Sequence, residues 1–190
     1  MNNNLSVWIL LFWLVPLEAA MTQSPQLVLP IGHTEGILVA RFSPDGKYIL
    51  TASYDYTAKI WDVQSGKLLR TLEGHTAGIL GASYSPDNKR IATASLDNTA
   101  IIWDAKSGDL RHVLQHDDQV SSVCFSPDGK TMVTASYDHS AQLWNAETGT
   151  LIQRFEGHAN NVTSAVFSPD GSRVVTSSDD GSAKVWDVGS

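Results

Sequence analysis

GHTAGILGASYSPDNKRIATASLDNTAIIWD, Gly74–Asp104, is the stretch on which the reading of this chain turns. Its fixed points are the pair Gly74-His75, the turn Ser85-Pro86-Asp87, the Ser95-x-Asp97 in the middle and the closing Trp103-Asp104. The same points recur in three further copies. The histidines are His33, His75, His116 and His158, and the tryptophans are Trp61, Trp103, Trp144 and Trp186, so neighbours stand 41–42 positions apart. Several independent markers holding one spacing through four copies is not a product of chance composition. A self-similar period of this length is the signature of a repeat architecture in which each unit is one small sheet.

Each copy carries the same local chemistry. A first strand is expected in ILVARFS, ILGASYS, VSSVCFS and VTSAVFS, each ending on an aromatic one residue before a serine: Phe42, Tyr84, Phe125 or Phe167. Ser-Pro-Asp-Gly, or Asn88 in place of the glycine, then makes a tight hairpin turn. Proline presets φ, aspartate bonds the backbone ahead, and glycine or asparagine tolerates φ > 0. The second strand is YILTASYD, RIATASLD, TMVTASYD or RVVTSSDD, and the third is TAKIWDV, TAIIWDA, SAQLWNA or SAKVWDV. A loop such as Gln64-Ser65-Gly66-Lys67 leads to an outer fourth strand, as in Leu68–Glu73 and Leu151–Glu156. Short strands rich in Val, Ile, Thr and aromatics, punctuated by Gly, Pro, Asp and Ser, read as all-β. In the third strand Ala58, Ala100, Ala141 and Ala183 share a face with Ile60, Ile102, Leu143 and Val185, while the tryptophan takes the other face. Neither face is uniformly polar, which suits a sheet sandwiched between neighbours.

Composition narrows the classes. The chain has 190 residues and a formal net charge of −7, with no basic run, which argues against a nucleic-acid partner. Cys124 is the one cysteine, so no intrachain disulfide and no cysteine-rich metal site can form. It reads as a small buried residue rather than a reactive thiol, since Arg41, Ser83 and Val166 take its place elsewhere. The histidines of the repeats lack a second ligand at metal spacing, and His112 and His139 read as exposed polar residues. Asp117-Asp118 and Asp179-Asp180 lack the rest of a calcium loop and read as solvated charge. No metal and no cofactor is expected.

Residues 1–20 differ from everything after them. Leu5–Leu17, LSVWILLFWLVPL, is too short to cross a bilayer, which takes about 20 apolar residues, and fits the hydrophobic part of a signal peptide. MNNN lacks a basic residue, and Leu17 or Glu18 suits a cleavage site poorly. An uncleaved anchor touching a membrane through residues 5–17, or a natural start at Met21, are the alternatives. Export to a periplasmic or secreted location follows from the first reading, and a cytoplasmic one from the last. Residues 21–190 form the repeat domain, with copies at about 32–62, 74–104, 115–145 and 157–187. Gln26–Ile31, QLVLPI, stands where the other copies have their preceding outer strand, and Pro30 confines it to a sheet edge.

Gly-His, Ser-Pro-Asp-Gly, Ser-x-Asp and Trp-Asp at this spacing resemble the WD-repeat β-propeller family, over nearly everything from Gln26 to Val188. The third copy departs twice, with Gln115-His116 for Gly-His and Trp144-Asn145 for Trp-Asp. The resemblance implies an all-β propeller of four four-stranded antiparallel blades. That family usually closes with seven blades, so an incomplete propeller, either a fragment of a longer array or an open arc that pairs with another copy, is favoured over a four-blade ring closed by the QLVLPI strand.

His, Ser and Asp are also the inventory of a nucleophilic triad. One set lies in each copy: His33/Ser53/Asp55, His75/Ser95/Asp97, His116/Ser136/Asp138 and His158/Ser178/Asp180. An active site is normally single, and no Gly-x-Ser-x-Gly elbow accompanies any of these serines. The resemblance implies a structural network instead, Asp to His, His to Ser, and Ser to the indole N–H of Trp61, Trp103, Trp144 or Trp186.

It also implies that the His and Asp loops gather at one mouth of the ring. Tyr54, Leu96, Tyr137 and Asp179 precede the network aspartates there, with Glu35, Asp118 and Asn161 in the loops after the histidines. These are candidate partner-binding residues, and the alternative is that they only cover the turns beneath them. The expected function is a non-catalytic scaffold for a protein or peptide partner. The other readings are a module that self-associates to complete a propeller, and a hydrolase using one Ser/His/Asp set.

Overall fold

The period-two patterning of the repeats folds into four antiparallel sheets in chain order in the computed structural model, which describes residues 32–189. The hydrophobic segment 1–20 and the expected QLVLPI strand lie outside the described residues. The first sheet is β1 (Ile37–Phe42), β2 (Tyr48–Ser53), β3 (Ala58–Asp62) and β4 (Leu68–Leu72). The second is β5 (Ile79–Tyr84), β6 (Arg90–Ser95), β7 (Thr99–Asp104) and β8 (Leu110–Gln115). The third is β9 (Val120–Phe125), β10 (Thr131–Ser136), β11 (Ser140–Asn145) and β12 (Leu151–Glu156). The fourth has three strands rather than the expected four among the described residues: β13 (Val162–Phe167), β14 (Arg173–Ser178) and β15 (Ala183–Asp187). Each sheet is a meander, every strand pairing with its sequence neighbour.

The turns follow their chemistry. Gly46, Asn88, Gly129 and Gly171 have φ of 70°, 60°, 70° and 74°, the left-handed position of the Ser-Pro-Asp turn. There the serine hydroxyl donates to the aspartate Oδ1 at 2.6–2.7 Å in all four copies. After Trp-Asp the carboxylate closes the next turn, Asp62 Oδ1 accepting from Ser65 N and Asp104 Oδ1 from Ser107 N. Asn145 Oδ1 does the same for Thr148 N at 2.9 Å, so this position needs an acceptor and not a charge. That is why Trp-Asn is a mild departure.

The core is three interfaces built from two kinds of face. One face of each sheet is small and aliphatic; the other carries the first-strand aromatic and the tryptophan. Leu50, Ala52, Ala58 and Ile60 of the first sheet pack on Ile79, Tyr84, Ile91 and Trp103 of the second. Ala92, Ala94, Ala100 and Ile102 then meet Val120, Phe125, Met132 and Trp144. Val133, Ala135, Ala141 and Leu143 meet Val162, Ala165 and Val174, with Trp186 beside them. Cys124 is half-buried beside this last cluster, and burial pushes its thiol up, away from reactivity.

The arc does not close among the described residues, and each of its two outward faces carries exposed apolar side chains. Ile37 and Phe42 of β1 are 52% and 66% exposed, and Val185 of β15 is 65% exposed. No helix among the described residues is long and apolar enough to cross a membrane.

Candidate functional site: the polar chains and the loops above them

Alternation along β2, β6, β10 and β14 puts a threonine and the Ser-x-Asp serine on one face, two residues apart. The threonine is the hub. Its hydroxyl is hydrogen-bonded to the histidine Nε2 at 2.7–2.8 Å in the pairs Thr51–His33, Thr93–His75, Thr134–His116 and Thr176–His158. The tryptophan indole N–H donates to that same oxygen at 2.8–2.9 Å, from Trp61, Trp103, Trp144 and Trp186. On its other side the imidazole Nδ1–H donates to the aspartate, His33–Asp55 at 2.9 Å, His75–Asp97 at 2.7 Å and His158–Asp180 at 2.7 Å. Indole can only donate, so in the first, second and fourth copies the threonine proton is available to Nε2 and the imidazole proton facing the aspartate sits on Nδ1. Burial pushes His75 below the usual imidazole value, against the opposite pull of Asp97.

The expected link through the serine to the indole is therefore corrected. Ser53, Ser95, Ser136 and Ser178 donate instead to the carbonyls of Glu35, Ala77, Asp118 and Asn160 at 3.0–3.2 Å. They accept from the N–H groups of Asp55, Asp97, Asp138 and Asp180. Register explains it: Thr51 lies diagonal to Trp61 across the β2–β3 ladder, while Ser53 lies at the strand end beside the loop. The signal was in the sequence, since the threonine two residues before the serine is present in all four copies.

A second hydroxyl completes each chain. Thr57, Thr99, Ser140 and Ser182 donate to the other oxygen of the aspartate at 2.6–2.7 Å. Burial opposes ionisation of Asp55, but Thr57, the Thr34 N–H and His33 hold its carboxyl down to about 2. Burial likewise opposes ionisation at Asp97 and Asp138, and the hydroxyls and imidazoles again bring both below the usual carboxylate value.

The third copy is looser on the histidine side. His116–Asp138 is 3.4 Å, and Asp138 is shared with Arg154 at 3.3 Å and with the Gln142 amide. Gln115 stands where a Cβ on Gly32 or Gly74 would come within 2.5 or 2.9 Å of the tryptophan ring. Glycine at that position is a matter of close approach, and the third copy does without it.

Above the chains, the loops are tied to the residues before the aspartates. Tyr54 N donates to Gly36 O, Leu96 N to Gly78 O, Tyr137 N to Gln119 O and Asp179 N to Asn161 O, at 2.8–3.0 Å. Tyr54 is 42% exposed and at the same time lies against Gly78 of the next sheet, beside Leu96. Leu96, Tyr137 and Asn161 are half-buried, and Asp179, Glu35 and Asp118 are exposed. Asp117 accepts from Arg154, and Asp118 bonds Gln119 N. His139 is exposed, but His112 is half-buried, its Nε2 on Glu147 O at 2.9 Å, and so is not the free surface residue expected. Among the described residues no group of three His, Cys, Asp or Glu is placed to hold a metal ion.

Comparison with known proteins bears on what such a surface is for. The family model described as "WD domain, G-beta repeat" matches four times, at residues 23–62, 66–104, 108–145 and 149–187. The match at 66–104 runs from β4 through β7, so one sequence unit supplies the outer strand of one sheet and three strands of the next. Among curated proteins, "Probable E3 ubiquitin ligase complex SCF subunit sconB" of Arthroderma benhamiae is 49% identical over 41 residues, 22% of this chain and 6% of that protein. "Ribosome assembly protein 4" of Saccharomyces cerevisiae is 45% identical over 40 residues, 21% of this chain and 8% of that protein. The matched stretches thus span one repeat and under a tenth of each relative's length.

Proposed function

The chain belongs to the WD40 repeat family, and from that premise we propose that it is a non-catalytic scaffold whose Tyr54–Leu96–Tyr137 rim receives a protein or peptide partner. WD40 domains are typically interaction scaffolds, and the relatives sharing one repeat are named for an SCF complex and for ribosome assembly. The observation that carries the proposal is the rim itself: a large aromatic, an aliphatic and a second aromatic at equivalent positions, each fixed by a backbone bond above a rigid buried chain. Rigid aromatic anchors lose little entropy on binding and are favoured at interfaces. The enzyme reading is disfavoured by the same chemistry. The histidine Nε2 that would activate a nucleophile is taken by a threonine hydroxyl, and Thr93 and Thr134 are fully buried.

The test is capture of partners from a cell extract by the 190-residue chain and by Tyr54→Ala/Tyr137→Ala. The expected result is a defined set of proteins retained by the first and lost by the second, with unchanged circular dichroism. Identical capture by both would sink the rim as the docking site. A second reading, favoured by exposed Ile37, Phe42 and Val185, is that the outward faces pair with another copy to extend the arc. Sedimentation across concentration would show assemblies that Val185→Lys dissolves; a strictly monomeric chain would end that reading.

A further inference from the structure

The three junctions between sheets offer an internal control, because the same positions meet at each. At the junction of the second and third sheets the outer end is sealed. Arg90, with its side chain 12% exposed, pairs with Glu147 at 3.0 Å and donates to Gly129 O at 3.1 Å. His112 closes the remaining gap against the Glu147 carbonyl at 2.9 Å. At the junction of the first and second sheets none of these links exists. Tyr48 stands for Arg90, Arg70 for His112, Lys106 for Glu147 and Asn88 for Gly129. A cleft of ≈ 370 Å³ opens there, walled by Ile60 and Leu69. That volume lies within the range of small-molecule sites, about 300–1,000 Å³.

Two further features set this cleft apart. Tyr84 lines it, is 9% exposed, and is the one residue among the described ones with a buried side-chain oxygen lacking any hydrogen-bond partner. The other three copies hold phenylalanine at this position, Phe42, Phe125 and Phe167, so the hydroxyl adds nothing that the fold requires. A buried hydroxyl without a partner is costly, and its retention calls for an acceptor from elsewhere. At the mouth, Arg70 and Lys106 are both exposed, and neither forms an ion pair among the described residues. Two cations at an open mouth, apolar walls and an inner donor describe a ligand with an anionic end and a second oxygen.

We propose that this cleft binds a small organic monocarboxylate with an apolar body, its carboxylate at Arg70 and Lys106 and a second oxygen accepting from the Tyr84 hydroxyl. Burial, with Asp45 and Tyr48 nearby, pushes the Tyr84 phenol up, which keeps it protonated and a donor.

Titration of the isotopically labelled 190-residue chain with para-hydroxyphenylacetate, followed by amide chemical shifts, tests this. Saturable shifts at Asn88, Ala105 and Lys106 are expected, with a Kd of about 1 mM or tighter. The neutral para-hydroxyphenylacetamide should bind at least about tenfold more weakly, as should the probe to Lys106→Glu, a change at an exposed site. Tyr84→Phe installs the residue the other copies carry and so keeps the fold. It should weaken para-hydroxyphenylacetate about tenfold while leaving phenylacetate, which lacks the far oxygen, unchanged. Tyr48→Arg/Lys106→Glu rebuilds the seal of the next junction and should abolish the shifts. Absence of saturable shifts with either probe, or equal affinity of para-hydroxyphenylacetate for the native chain and Tyr84→Phe, would overturn the assignment.

Discussion

Ile102 and Val185 occupy the same place in the third strand of their sheets, yet one is fully buried and the other 65% exposed. Thr93 and Thr176 also share a place, and they are 0% and 1% exposed. The difference separates two kinds of cohesion. The aliphatic face of a sheet is buried only when another sheet lies on it, so it fails at the end of the arc. The Trp–Thr–His–Asp chain is made within one sheet, and all its links lie between 2.7 and 2.9 Å in the first, second and last sheets alike. Position in the arc decides the first kind and is irrelevant to the second.

The largest expected effect sharpens that contrast. Ile102→Ala should cost about 2–5 kcal/mol in urea unfolding, the range for truncating a fully buried aliphatic. Val185→Ala should cost less than about 0.5 kcal/mol, as exposed substitutions do. A large loss at Val185 would mean that its face is covered in solution, which would break the contrast and favour assembly of copies.

Next comes the polar chain. Thr93→Val and Thr176→Val each strand an indole N–H and an imidazole Nε2, for a loss of about 1–3 kcal/mol. The two losses should match despite their different places in the arc, and Thr→Ser at either site should restore most of the stability. Unequal losses would show that the chain leans on neighbouring sheets after all.

What was legible in the sequence divides along the same line. Strands, turns and the two faces of the third strand could be read because they follow from spacing, φ preferences and alternation, all properties of a single repeat. The Ser-x-Asp serine was misplaced in the chain because Ser53 and Thr51 are both hydroxyl residues on one face, and only the β2–β3 register decides which lies near Trp61. The cleft at the first junction was invisible because Tyr48, Arg70, Tyr84 and Lys106 come from two repeats, and no pattern within one repeat marks them. The half-buried place of His112 is hidden from the repeat pattern for the same reason, since the backbone that holds it belongs to the next sheet.

Acid probes the polar chain without a substitution. The Asp55 carboxyl is held at about 2, below the ordinary aspartate value of about 3.9. A depressed folded value contributes stability that is fully present above the unfolded value and is lost as pH falls through the folded one. Stability should therefore decline as pH falls from about 4 to 2, and Asp55→Asn should make that stretch of the profile shallower, the aspartates of the other copies supplying the rest. A decline beginning at neutral pH would point to the histidines instead.

The smallest effect concerns the turn between the second and third strands, at the one residue held between the network aspartate and its hydroxyl partner. Tyr56, Asn98, His139 and Gly181 occupy its left-handed position, with φ of 71°, 69°, 67° and 80°. For an L-residue other than glycine or asparagine this conformation is strained by roughly 1–2 kcal/mol. Glycine relieves the strain but loses more chain entropy on folding, about 0.5–1 kcal/mol. Tyr56 is 51% exposed, so its ring offers little packing to lose. Tyr56→Gly should accordingly raise stability by up to about 1 kcal/mol. Asn98→Gly should change little, because asparagine already tolerates the conformation. Equal gains at Tyr56 in the first sheet and His139 in the third would mark the strain as local and blind to place in the arc, whereas a gain confined to one would mean that the surrounding sheets bend the turn.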